Sequence, residues 1–327
     1  MLELDVSVER RDLVVEVALV VRPGERVALF GPSGAGKTTV LEAVAGFVAP
    51  RSGTVRLAGR TLATGSPRRS VPVWLRRVGL VRQDPSLFPH LDVAGNLAYA
   101  RPVRRAATAA GRWGIREVER TAEMLGIGGL MGARPGELSG GEARRVAIAR
   151  TLLCDVEALL LDEPYTGLDA RTRRSVTDVV SGAVTARGLP SVLVAHELSE
   201  AQAFADRLGL LDAGRVLQLG DPHEVVARPA SRRAAELVGY GAFLPDGRGG
   251  TIGVHPARVV VGAHPDAGVV LDGPVRDVRA SGARFEVDLE ARGTTVTCEL
   301  DGAPATGLVE VTAVDPPRFA PDGSARR

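Results

Sequence analysis

The stretch Phe30-Gly31-Pro32-Ser33-Gly34-Ala35-Gly36-Lys37-Thr38-Thr39 limits what this chain can be more than any other. It fits G-x-x-x-x-G-K-[ST], the phosphate-binding P-loop, with Gly31, Gly36, Lys37 and Thr38 at the fixed places. Arg26 to Phe30 (RVALF) reads as a short buried strand, and Lys37 to Val48 carries apolar residues at helical spacing. The glycines therefore fall between a strand and a helix, which an incidental Gly-rich turn would not require. Glycines let consecutive backbone N–H groups curl around an anion without Cβ clashes. The helix N-terminus adds the positive end of a dipole. Lys37 brings a full charge to the β- and γ-phosphates, and the Thr38 hydroxyl is a ligand for Mg²⁺.

The chain has 327 residues, enough for two domains on a prior of about 150 each. A net charge of +2, with the arginines scattered over predicted helix faces, gives no argument for nucleic acid as a partner. Cys154 and Cys298 stand far apart and outside any C-x-x-C, which fits a reducing cytoplasm and offers no metal site. The first residues, MLELDVSVERRD, are too acidic and too interrupted for a signal peptide. No run approaches the roughly 20 apolar residues of a membrane helix, so the expectation is a soluble chain that docks on a membrane partner.

Along the chain, Leu2 to Val8 alternates as a strand and Leu13 to Val21 reads as its partner. Short strands are expected at Gly53 to Gly59, Val78 to Val81, Ala158 to Leu161 and Ser191 to Ala195, with a hairpin from Leu208 to Leu219. Asp221 then Pro222 is a helix start. Strands alternating with helices predict a largely parallel α/β sheet. The Ala- and Arg-rich stretch at about 84–155 reads as a helical insertion into it. Residues 239–250 are Gly-rich and read as a linker. Beyond them, Phe285, Val287 and Leu289, then Val296, Cys298 and Leu300, alternate between Gly and Pro turns, the pattern of a small all-β barrel or sandwich.

Ala158-Leu159-Leu160-Leu161-Asp162-Glu163-Pro164 is an apolar strand ending in two acids. A P-loop enzyme needs a carboxylate at a strand end to hold Mg²⁺, and Asp162 suits this; Glu163 is placed to orient or deprotonate an attacking water. Leu138-Ser139-Gly140-Gly141-Glu142 precedes a helical stretch, with Ser139 as N-cap and the two glycines leaving helix N–H groups open.

P-loop, LSGGE and LLLDEP in this order resemble the ATPase subunit of an ATP-binding cassette (ABC) transporter. Val81-Arg82-Gln83-Asp84 is similar to that family's Q-loop, Gly167-Leu168-Asp169 to its D-loop and Val194-Ala195-His196-Glu197 to its switch histidine. The resemblance covers residues 2–238. It implies a P-loop NTPase cassette at 1–238 with a helical subdomain at about 84–155. After the linker, an OB-like regulatory β domain is expected at 251–320, then a tail at 321–327. It implies ATP and Mg²⁺ as cofactors, and a homodimer sandwiching two ATPs, each between one P-loop (Gly31, Pro32, Ser33, Gly34, Ala35, Gly36, Lys37, Thr38, Thr39) and Ser139-Gly140-Gly141 of the other copy. Thr38, Gln83 and Asp162 would surround Mg²⁺. Lys37 would bind the phosphates, Glu163 would act on the water and His196 would contact the γ-phosphate. Asp169 would reach across the dimer interface.

The family's partners are integral membrane permease subunits at the cytoplasmic face of the membrane and, through them, a substrate-binding protein. SLFPHLDVAGNLAYA and the C-terminal β pattern, with IGVHPARVVV at its start, resemble importer ATPases, especially those for molybdate and sulfate; iron, polyamine and sugar importers carry similar tails. Leu87 to Leu91 is either a docking surface for the permease or the core of the helical insertion. A soluble ABC ATPase of DNA repair or translation, or a catalytically dead cassette, is the other class of reading. The first usually carries a long coiled coil or a second cassette, and intact Lys37, Glu163 and His196 oppose the second. Departures from the family pattern are Arg144 where Gln is usual, Thr166-Gly167 before Leu168-Asp169, and Glu197 after His196. Residues 1–29 also lack an aromatic ring for the adenine, which leaves two readings: Arg10 or Arg11 stacks on the base, or both arginines are solvated and the base is held weakly.

Overall fold

The computed structural model describes all residues except 11–12, 66–68, 101–109, 263–267, 303–307 and 327. The chain divides into two compact units, Met1–Pro222 and His223–Arg327.

The first unit runs β1 (Leu2–Arg10), β2 (Leu13–Val21), β3 (Arg26–Phe30), α1 (Lys37–Ala45), β4 (Ser52–Leu57), β5 (Arg60–Thr64), β6 (Arg69–Ser70) and β7 (Val78–Val81). Helices α2 (Val93–Ala98), α3 (Ala110–Met124) and α4 (Gly140–Leu153) follow. Then come β8 (Ala158–Asp162), α5 (Ala170–Arg187), β9 (Ser191–Val194), α6 (Leu198–Phe204), β10 (Arg207–Asp212) and β11 (Arg215–Gly220). The strands form one sheet in the order β6-β5-β4-β1-β2-β11-β10-β3-β9-β8-β7.

That sheet is mixed, where a largely parallel one was expected. β10, β3, β9, β8 and β7 run parallel, while β1, β2, β4, β5 and β6 pair antiparallel. The reason is the connections: β4 to β5 and β10 to β11 are joined by two-residue turns, too short for the crossover a parallel pair needs. The central parallel strands β8 and β9 are buried along their length, with all five residues of β8 inside. The core joins Leu2, Leu4, Val6, Val27, Leu29, Val40, Leu41, Leu160 and Val192. α1 is shorter than its apolar spacing suggested. Gly46, at φ 97, takes the left-handed conformation that ends helices and sends its N–H to Glu42 O.

The second unit carries α7 (Pro222–Ala227, from its second residue), α8 (Arg232–Leu237) and strands β12 (Ala242–Pro245), β13 (Thr251–Val254), β14 (Val259–Val261), β15 (Gly268–Ser281), β16 (Arg284–Ala291), β17 (Thr294–Leu300), β18 (Leu308–Val314), β19 (Arg318–Phe319) and β20 (Ala325–Arg326). They form a sheet β12-β13-β19-β20 and a sheet β14-β18-β15-β16-β17. Alternate residues of β16 and β17 supply its core: Val287, Leu289, Val296, Cys298 and Leu300.

Three boundaries differ from the sequence expectation. The segment 239–250 is not a linker throughout: β12 lies in it, pairs with β13, and buries Ala242 and Leu244. Residues after 320 are not only a tail, because β20 pairs with β19 and Arg326 reaches Asp246 at 3.2 Å. Helices α7 and α8, grouped by sequence with the first domain, belong to the second unit. Tyr240 Oη donates to Val226 O and Ala227 O, and Arg232 N donates to Gly323 O.

Candidate nucleotide site

Four loops leave the carboxyl ends of four adjacent parallel strands, β3, β9, β8 and β7, and they carry the P-loop, His196, Asp162 with Glu163, and Gln83. In an open α/β sheet this is the edge where ligands bind.

The P-loop is shaped by close packing. A Cβ on Gly31 would lie 1.9 Å from Leu211 O, so only glycine lets the backbone pass. Gly36 has φ 103 and serves as the N-cap of α1 without a side-chain cap, which leaves the first helix N–H groups open to an anion. Lys37 is only 8% exposed, and its Nζ donates to Gly31 O at 2.7 Å and Pro32 O at 2.9 Å. Burial lowers its pKa, opposed by the nearby charges of Glu163 and Asp162. An anion laid in the loop would compete for an ammonium that here has only carbonyl partners.

Thr38 Oγ1 donates to Asp162 Oδ1 at 3.1 Å. Asp162 is 9% exposed, and burial raises its pKa against the lowering effect of Thr38. Glu163 and Glu42 add negative charge beside it. The Thr38 hydroxyl and the buried Asp162 carboxylate are hard oxygen donors of the kind that suits Mg²⁺, beside the charges of Lys37 and Arg82. Gln83 Nε2 reaches Glu163 Oε2 at 3.4 Å, so the third expected ligand stands at the same edge. Thr38, Asp162 and Gln83 thus fit the ion, which would neutralise phosphate charge there.

Glu163 sits at φ 47, in the left-handed region, and its N–H donates to Val194 O at 3.0 Å. A non-glycine residue there costs about 1–2 kcal/mol. The turn directs the acid off the end of β8 instead of continuing the strand. His196 follows β9 and is exposed, with its N–H directed to Glu200 Oε2 at 3.4 Å.

Ser139, Gly140, Gly141 and Asp169 gather in a second place. With Arg144, Gly167, Leu168 and Thr172 they line a surface depression of about 360 Å³ that no P-loop residue lines. Ser139 caps α4 in a reciprocal box with Glu142, so Gly140 and Gly141 keep free helix-end N–H groups. Asp169 caps α5, accepting from Arg171 N and Thr172 N at 3.0 Å each. Arg144 Nη1 lies within 3.1 Å of where a Gly167 Cβ would stand, and its Nε is buried without a hydrogen-bond partner.

Among the base-stacking candidates, Arg10 Nη2 is held by Glu42 Oε2 at 3.3 Å, while Arg11 lies outside the described residues. Phe88, in the expected docking loop, is half-buried between Tyr99, with ring centroids 4.4 Å apart, and Arg150, 5.2 Å from the ring. Asn96 is fully buried and fastens that loop through Phe88 N, Phe88 O and Leu91 O. Sequence reasoning did not single out Glu42, Arg173 or Glu200. Their only signal was spacing, four residues after Thr38, Asp169 and His196 respectively, which is one helical turn.

A P-loop, a strand-end carboxylate pair and a polar loop at one sheet edge define a P-loop nucleoside triphosphatase. Residues 14–166 match the family model described as ABC transporter. The chain is 38% identical over 289 residues to the Fe(3+) ions import ATP-binding protein FbpC 3 of Rhodococcus jostii (strain RHA1), covering 85% of this chain and 80% of that one. It is 41% identical to the sulfate/thiosulfate import ATP-binding protein CysA 2 of Chromobacterium violaceum, over 72% of this chain and 62% of that one. It is 39% identical to the molybdenum import ATP-binding protein ModC of Mycobacterium tuberculosis, over 75% and 68%. Among solved structures, a dimeric post-hydrolysis state of the ATP-binding cassette MJ0796 bound to ADP and Pi superposes with TM-score 0.58 at 26% identity, covering 68% of this chain and 99% of that one. The chain belongs to the ABC transporter family, as an ATP-hydrolysing, ATP-binding subunit of the importer type. Molybdate and sulfate are not singled out among cargoes, since an iron-import protein matches over more of the chain.

Proposed function

We propose that two copies of this chain sandwich two ATP molecules and drive a membrane permease that imports an inorganic ion delivered by a substrate-binding protein. The observation that carries this is the division of the nucleotide-facing groups into two places. The strand-end edge holds the P-loop, Asp162, Glu163 and Gln83. The depression with Ser139, Gly140, Gly141 and Asp169 offers open helix N–H groups but no lysine loop. A second copy supplies what each lacks, and the dimeric MJ0796 cassette shows that this fold can pair.

In the sandwich, the P-loop N–H groups and Lys37 hold the β- and γ-phosphates. Thr38, Asp162 and Gln83 would hold Mg²⁺, which would supply charge to neutralise the phosphates. Glu163 takes the proton of the water that attacks the γ-phosphorus, the bond from that phosphorus to the β–γ bridging oxygen breaks so that ADP leaves, and His196 contacts the γ-phosphate. Asp169 reaches across to the other copy. Among the described residues no helix is long and apolar enough to cross a membrane; the relatives named as import ATP-binding proteins support a place at the cytoplasmic face, held there by the permease. The loop around Phe88, with Tyr99 67% exposed beside it, is the proposed permease contact. The relatives' names print ferric iron, sulfate or thiosulfate, and molybdenum, which supports the cargo class no further than an inorganic ion.

Glu163→Gln keeps the shape of the side chain and removes its basicity. With Mg²⁺ and ATP, the purified variant is expected to hydrolyse at least a hundredfold more slowly than the parent and to elute as a dimer in size-exclusion chromatography. Near-normal hydrolysis, or a monomer at saturating ATP, would overturn the reading.

A further inference from the structure

Arg173 lies one helical turn beyond Asp169 on α5, and its backbone N–H donates to Asp169 O at 2.9 Å. Its guanidinium touches both sides of a gap between two loops. Nη2 lies 3.4 Å from Leu168 O, in the Gly167-Leu168-Asp169 loop. Nη1 lies 2.5 Å from Glu197 Oε2 and 3.3 Å from Glu200 Oε1, on the other side. Glu197 directly follows His196. Glu200, whose side chain is 3% exposed, accepts the His196 N–H at 3.4 Å. An unbroken set of polar contacts thus runs from the Leu168 carbonyl through Arg173 and Glu200 to the backbone of His196.

We propose that Arg173 is a positioning residue that links the Asp169 loop to His196, so that the arrival of a second copy at Asp169 sets where His196 stands. This rests on the ATP-sandwich reading above. A planar fork of fixed N–H directions suits the task, because it holds two carboxylates and a carbonyl in one geometry. Lysine, with a compact ammonium, cannot keep all three contacts. Glu200 is buried, so it cannot exchange Arg173 for water without leaving the interior. A shift of the Leu168 carbonyl is therefore passed to the residue that fastens His196. Among the described residues no hydrogen bond or ion pair joins the P-loop to this cluster, so nucleotide binding and the positioning of His196 are expected to separate.

The test is single-turnover hydrolysis of radiolabelled ATP by the full-length chain. Arg173→Met is expected to lower the rate constant at saturating MgATP at least tenfold and to move the half-saturating ATP concentration less than twofold. Arg173→Lys should recover only part of the loss. The decisive comparison is with His196→Ala. If Arg173 acts through His196, adding Arg173→Met to His196→Ala slows it less than twofold further. Losses that multiply in the double variant, or a half-saturation that shifts as much as the rate, overturn the inference. Should Arg173→Met fail to fold, Glu197→Gln at the half-exposed end of the cluster decides it, with an expected loss of about threefold that vanishes in the His196→Ala background. An inactive Glu163→Gln beside a fully active Arg173→Met overturns this inference alone, whereas a fully active Glu163→Gln overturns the site reading and this inference together.

Discussion

Thr38 and Asp162 stand 124 positions apart in sequence, and in the fold the Thr38 hydroxyl donates to Asp162 Oδ1 at 3.1 Å. Thr38 is in the first turn of α1, which follows β3, and Asp162 ends β8; β3 and β8 are separated in the sheet only by β9. If these oxygens share an Mg²⁺ ion, Thr38→Val should weaken MgATP binding about tenfold, or about 1.4 kcal/mol. It should leave ATP binding in EDTA within twofold of the parent. Titration calorimetry with and without the metal measures both, and an equal loss in the two conditions would make Thr38 a phosphate contact only.

Glu42 holds Arg10 at 3.3 Å and approaches Arg82 at 3.9 Å. Arg10 is thereby kept near the P-loop helix in a chain whose first 29 residues have no aromatic ring. A guanidinium stacked on a base contributes about 0.5–2 kcal/mol, against roughly 1–3 for an aromatic side chain. ATP and GTP are therefore expected to bind the Glu163→Gln variant with affinities within about tenfold of each other. Arg10→Ala should weaken both alike. A preference for ATP above a hundredfold would show that another group reads the adenine.

Arg76 is completely buried and donates to Ala43 O, Val44 O and Val71 O, and to Ser70 Oγ, at 2.7–2.9 Å. Ala43 and Val44 are at the carboxyl end of α1, where carbonyls lack helical partners. Each buried acceptor left unpaired costs about 1–3 kcal/mol, so Arg76→Met should destabilise the first unit by at least about 2 kcal/mol in urea unfolding. Gly46→Ala should act in the same direction, because its Cβ would stand 2.5 Å from Arg76 Nε at a φ of 97°.

His255 Nδ1 accepts from Ala257 N at 3.2 Å, which leaves Nε2–H to donate to Val238 O at 3.1 Å. The neutral ring is fully paired, and protonating Nδ1 would break the first bond. Burial lowers the pKa from its ordinary value of 6.5. The unfolded chain then takes up the proton first as pH falls. This stabilising contribution is complete above about 6.5 and is lost as pH drops through the lower folded value. The second unit should lose thermal stability on acidification through this window, and His255→Gln should flatten the dependence. Unchanged pH dependence in the variant would remove His255 from the explanation.

Sequence alone determined the phosphate loop, the strand ending in Asp162-Glu163, and the capped helix after Ser139. Each is built by consecutive residues. A loop of N–H groups needs glycines at close, fixed spacing, as at Gly31, Gly34 and Gly36, and a helix cap needs its serine next to the helix. Alternation likewise announced β16 and β17, because a strand repeats every two residues wherever it lies. Which strands become neighbours is a different matter. A short turn announces a hairpin, as from Leu208 to Leu219, but local pattern does not say which distant strand lies alongside, so the order that joins hairpins and parallel strands in one sheet, and the pairing of β12 inside a Gly-rich stretch, emerged only from packing. The same holds for the site. Gln83 meets Glu163 because β7 lies beside β8, and Arg173 meets Glu197 and Glu200 because α5 and the loop after β9 converge. An arginine on an amphipathic helix looks alike in sequence whether it faces solvent or a buried carboxylate. The partner that decides between them is brought by the fold.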